Sequence, residues 1–88
     1  MKEIALHEAR QLATRVLQKL AAEQNLGDLM IIDDAIVETD TAWYFPYDAA
    51  AFLLRGEVSS ALAGNLPVKV SRDGAAVTYE APVARGGD

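Results

Sequence analysis

The 88-residue chain has no cysteine, a single histidine and only three prolines. Without thiols it has no disulfide, no thiolate metal site and no cysteine nucleophile, which fits a reducing compartment. A histidine metal centre or a serine–histidine–aspartate triad would rest on His7 alone, inside a helical pattern. Ser59, Ser60 and Ser71 have no G-x-S-x-G setting. The glycines form no Gly-rich turn leading from a strand into a helix, so there is no phosphate loop. No apolar run approaches the ~20 residues needed to span a bilayer. Met1–Leu20 is broken by Glu3, His7, Glu8, Arg10 and Arg15, unlike a secretory signal. These absences lead to the expectation of a cytoplasmic, membrane-free, non-enzymatic chain with no metal and no cofactor.

Basic residues are missing from the middle. Between Leu20 and Leu54 lie Glu23, Asp28, Asp33, Asp34, Glu38, Asp40 and Asp48, with no lysine or arginine. The formal net charge is −5. Such a middle disfavours nucleic acid, whose phosphates need cations, and suits a basic protein partner. The ordinary alternative is a solubilising surface. A carboxylate cation site from Asp33, Asp34 and Asp40 needs several oxygens at one point, and adjacent strand residues point to opposite faces.

What is present is a core. The hydrophobic content is 51%, enough for one globular domain over residues 1–88 that buries roughly 60–65% of its unfolded surface. Lys2–Glu23 reads as an amphipathic helix, with Leu6, Ala9, Leu12, Ala13, Val16, Leu17 and Leu20 at spacings of three and four. Asn25 and Gly27 stop it. Leu29–Thr39 reads as a strand, and TAWYFPYD (Thr41–Asp48) as its aromatic hairpin partner. A two-residue loop at Thr39-Asp40 sets Ile36 against Trp43 and puts Met30, Ile32 and Ile36 on the face of Trp43, Phe45 and Tyr47. Asp34 falls on that face too, a conflict that a bulge at Asp33–Asp34 would relieve. The opposite face carries Leu29, Ile31, Val37 and Tyr44. Asp48–Ala63 reads as a short helix or a strand end, closed by Gly56, with a further helical turn within Val58–Ala63. Leu66–Arg72 and Ala75–Glu80 form a second hairpin about Asp73-Gly74, with Val77 and Tyr79 inward. Pro82 and the tail Val83–Asp88 read as frayed. The expected fold is α+β: an N-terminal amphipathic helix on a mainly antiparallel sheet of about four strands.

Trp43, Phe45 and Tyr47, then Leu62, Ala63, Gly64, Asn65 and Pro67, with Val68, Val70, Arg72 and Gly74 behind them, resemble the immunity protein 35 family, also described as YrhB-like domains. The likeness runs over about Ala42–Gly74. Pro46 interrupts the usual apolar run, and Leu54-Arg55 replaces a more polar connector. The resemblance implies a bacterial protein that neutralises a cognate polymorphic toxin by binding it; other relatives have been viewed as chaperone-like. Gly64, Asn65 and Pro67 carry over as structural, because glycine and asparagine tolerate positive φ and proline fixes a strand entry. The partner-binding candidates are Asp33, Asp34, Glu38, Asp40, Tyr44 and Asp48. The expected partner is a toxin with a basic surface, and the expected state is a monomer or weak homodimer.

Overall fold

Helix α1 (Leu6–Gln24) begins where the Glu8 carboxylate accepts the Ala5 N–H at 3.0 Å, and ends at Asn25, whose φ of 57° and ψ of 46° are left-handed. The computed structural model describes residues 3–82. Lys2, read as the helix start, and the tail from Val83 lie outside the described residues. Ala9, Ala13 and Leu17 are buried, and Leu12, Val16 and Leu20 pack beside them. Two alanines at the centre of the stripe let the helix axis lie close to the sheet. Leu6 departs from the expected stripe, being 46% exposed. Its place is taken by Ile4, which packs on the core from the segment before the helix and donates its N–H to the Arg72 carbonyl at 2.9 Å.

Strands β1 (Leu29–Ile31), β2 (Val37–Glu38), β3 (Ala42–Phe45) and β4 (Tyr47–Ala49) come from the expected first hairpin. Both of its arms are broken. β1 pairs with β4, with Ile31 opposite Tyr47, while β2 pairs with β3, with Glu38 opposite Trp43. Between them Asp33–Ala35 makes a 3-10 turn, and Ile32 donates to the Pro46 carbonyl at 2.8 Å. Extending the two registers sets Ile32 opposite Pro46 and Ile36 opposite Phe45, so the three turn residues face no partner. An odd insertion reverses the alternation of side chains. Ile31, not Met30 and Ile32, therefore joins Tyr47 in the core, while Met30 is exposed. The expected irregularity at Asp33–Asp34 is present, as a turn rather than a one-residue bulge.

The loop is also displaced. Thr39 donates to the Ala42 carbonyl at 2.8 Å, so Asp40 and Thr41 form the tip instead of Thr39 and Asp40. The Thr39 hydroxyl accepts the Ala42 N–H at 3.1 Å and the Thr41 N–H at 3.3 Å, which favours this tip. The register moves by two residues, an even number, so the side chains of β2 keep their expected face.

The connector that read as either strand end or helix is both. β4 runs directly into helix α2 (Ala50–Arg55), and a 3-10 turn follows at Val58–Ser60. β5 (Val68–Ser71) and β6 (Val77–Tyr79) form the second hairpin. The strands make an antiparallel sheet in the order β2-β3-β5-β6 and a two-stranded sheet of β1 and β4. The four-stranded sheet matches the expected sheet of about four strands; the further pair among the described residues arises because the turn and Pro46 each divide one arm of the first hairpin. Trp43, Phe45, Tyr47, Val68 and Val70 meet the α1 stripe to form the core. Tyr79 lies at its margin, 41% exposed, edge-on to the Tyr47 ring at 6.5 Å.

Candidate functional site

The acids of the middle segment gather mainly along β2 and the two turns that bound it. Asp33 opens the 3-10 turn and binds Arg10 of α1 in a two-point pair, with Nε at 2.8 Å and Nη2 at 3.0 Å. The hydrogen-bonded guanidinium holds the Asp33 carboxyl below its usual range, and the carboxylate raises Arg10 in turn. Asp34 is exposed in the same turn. Glu38 reaches Arg72 Nη1 at 2.8 Å. Asp40 is exposed at the hairpin tip. Among the described residues Asp34 and Asp40 enter no ion pair.

The other two candidates sit elsewhere. Tyr44 is only 5% exposed, in the middle of the four-stranded sheet, with the Lys69 ammonium 5.8 Å from its ring centre. Asp48, on β4, is half-buried. Its carboxylate accepts the Ala49 N–H at 2.7 Å and the Leu62 N–H at 2.8 Å, pinning the connector to the strand. The four acids Asp33, Asp34, Glu38 and Asp40 thus occupy one sheet edge, while Tyr44 and Asp48 do not lie on it.

Two arginines that the sequence reading did not count among the site residues shape this edge. Arg72 lies over the Trp43 ring at 4.4 Å, pairs with Glu38, and approaches Glu3 at 3.9 Å. Its backbone N–H donates to the Thr41 carbonyl at 3.1 Å. A signal for Arg72 was present: it continues the alternation of Val68 and Val70, which places it on the Trp43 face. Arg10 gave no comparable signal, because its partner lies 23 residues away. The acidic middle is thus partly compensated by bases from outside it, and the uncompensated charge at the edge sits at Asp34 and Asp40.

The Gly64-Asn65-x-Pro67 segment has a structural role. Gly64 has φ +73°, Asn65 Nδ2 donates to the Tyr47 carbonyl at 3.1 Å, and the Pro67 carbonyl accepts the Glu80 N–H at 3.0 Å. Beside it a groove of about 400 Å³ is lined by Leu20, Leu26, Tyr47, Leu62, Leu66 and Tyr79 among others. Burial pushes both tyrosine hydroxyls above their usual range, further from neutral pH. His7 is exposed on the first turn of α1. Among the described residues no three acidic or histidine side chains converge as a cation site would require, and no helix is long and apolar enough to cross a membrane.

Fold and surface together define a small antiparallel α+β fold with four acids along one sheet edge, two of them held by arginines. The chain belongs to the immunity protein 35 family: the family's model matches residues 7–87, nearly the whole length. No curated protein and no solved structure matches it.

Proposed function

We propose that this chain is a non-enzymatic immunity protein that neutralises a cognate bacterial toxin by binding it in the cytoplasm. The observation that carries this reading is the family match over residues 7–87. The β2 edge supplies the recognition surface in this account. A toxin that presents a basic patch would be drawn to Asp34 and Asp40, whose charge is not paired within the described part of the protein. Asp33 and Glu38 then add to the field while holding Arg10 and Arg72. Tyr44 and Asp48 support the edge through the sheet and the connector instead of touching the partner.

The test is to co-express the chain with the product of its neighbouring gene. Rescue of growth together with a stable complex supports the reading. Failure to bind or protect overturns it, and general suppression of aggregation of unrelated clients would assign the chain to the chaperone-like relatives.

A further inference from the structure

The sheet has a second edge, at β6, and its chemistry is unlike that of β2. Val77, Thr78 and Tyr79 carry no charge, and no strand lies beyond them among the described residues. The ladder to β5 fixes which backbone groups point outward. Ser71 donates to Ala76 at 2.9 Å and Glu80 donates to Pro67 at 3.0 Å. With Lys69 opposite Thr78, residues 76, 78 and 80 bond inward. In an antiparallel ladder the residues between them turn their N–H and C=O groups away. Val77 and Tyr79 therefore present these groups at the free edge.

We propose that β6 pairs antiparallel with β6 of a second copy, about a two-fold axis at Thr78. The outward groups dictate this register. Val77 would exchange two hydrogen bonds with Tyr79 of the other copy, and Tyr79 would do the same with its Val77. The side chains agree with it: the Val77–Tyr79 pairs join a β-branched residue to an aromatic, Thr78 meets its own copy, and both combinations are favourable across strands. Glu80 falls opposite Ala76, so no like charges oppose each other. The same operation at β2 would set a two-residue strand flanked by Asp33, Asp34 and Asp40 against an identical acidic strand. Charge thus selects β6 over β2 for self-association and leaves the acidic edge outside the dimer. Pairing through so short a strand falls below the roughly 1,200 Å² of a standard interface, so the dimer is weak and concentration-dependent.

Sedimentation and amide hydrogen exchange on the full chain test this. The apparent mass should rise from monomer toward twice that value between micromolar and millimolar concentration. Over the same range the Val77 and Tyr79 amides should become protected, while the Thr78 amide, bonded to β5, is protected throughout. Thr78→Glu sets two carboxylates face to face and should abolish the mass rise with the melting temperature retained; Thr78→Ser should keep it. A chain that stays monomeric at millimolar concentration overturns the proposal. So does a dimer in which Thr78→Glu has no effect, or one that leaves the Val77 and Tyr79 amides unprotected.

Discussion

The two edges of the four-stranded sheet solve one problem in opposite ways. An edge strand offers unpaired backbone groups to any other strand, and proteins guard it with shortness, irregularity or charge. β2 has all three: two residues, a 3-10 turn before it and a row of acids. β6 has an uncharged run between its turn and Glu80, next to a groove lined by leucine and tyrosine. The acids at β2 serve as protection whatever else they do.

The largest effect is expected beneath β2. Trp43 is 3% exposed and lies between the core and Arg72. Trp43→Ala should cost about 3–5 kcal/mol, enough to threaten a domain whose total stability is of order 5–15 kcal/mol. Trp43→Phe should cost less, since it keeps a ring and removes an indole N–H that has no hydrogen-bond partner among the described residues. Denaturant melts measure both. Indole emission at the wavelength of fully wetted tryptophan would contradict the burial.

The next contrast lies at the β6 side, between two glycines of similar backbone. Gly64 and Gly74 have φ of +73° and +75°. A Cβ on Gly64 meets nothing within 4 Å, while on Gly74 it would lie 3.0 Å from Ile4 Cδ1. Gly64→Ala should cost about 1–2 kcal/mol for the left-handed conformation, and Gly64→Val more because branching at Cβ worsens the clash. Gly74→Ala should exceed Gly64→Ala, since Ile4 must also move. Equal losses at the two glycines in thermal melts would show that the β5–β6 turn does not press on the N-terminal segment.

The acids themselves divide. Glu38→Lys removes the ion pair and sets an ammonium beside the part-buried Arg72, and should cost about 1 kcal/mol. Asp34→Lys with Asp40→Lys should change stability by less than ~1 kcal/mol, because both groups are exposed. Equal melting temperatures for these variants would break the distinction between engaged and unengaged acids.

The smallest effect belongs to Asp33. Its folded pKa is depressed by Arg10, so its contribution is present above the unfolded carboxylate pKa of about 4 and is lost as pH falls through the folded value. Both partners are largely exposed, which limits the pair to under ~1 kcal/mol. The stability gap between the natural chain and Arg10→Ala should therefore close as pH is lowered below about 4. A gap that is constant with pH would assign the loss to packing of the arginine stem.

The same contrast between regions separates what could be read from the residues from what could not. The α1 stripe was legible because Ala9, Ala13 and Leu17 repeat with the helical period. The β5–β6 hairpin was legible because alternation and Asp73-Gly74 agree. The first hairpin was harder. Its parity depends on whether the Asp33–Asp34 irregularity absorbs an odd number of residues or none, and composition does not distinguish the two. Thr39 moved the loop through its hydroxyl, which replaces a backbone acceptor at the tip. At the candidate site, the acids could be listed but not their partners. Arg10 and Arg72 arrive from distant parts of the chain, and only the fold decides that Glu38 is engaged while Asp40 is not.

On the proposed function, unpaired acids at the β2 edge draw in a basic toxin. The most direct test of this attraction is the association rate with the product of the neighbouring gene, measured at two ionic strengths for the natural chain and for Asp34→Lys with Asp40→Lys. The account predicts an association rate that falls steeply with salt in the natural chain, and is slower and less salt-dependent in the double variant, with melting temperatures nearly equal. An association rate unaffected by both salt and the double reversal would contradict it.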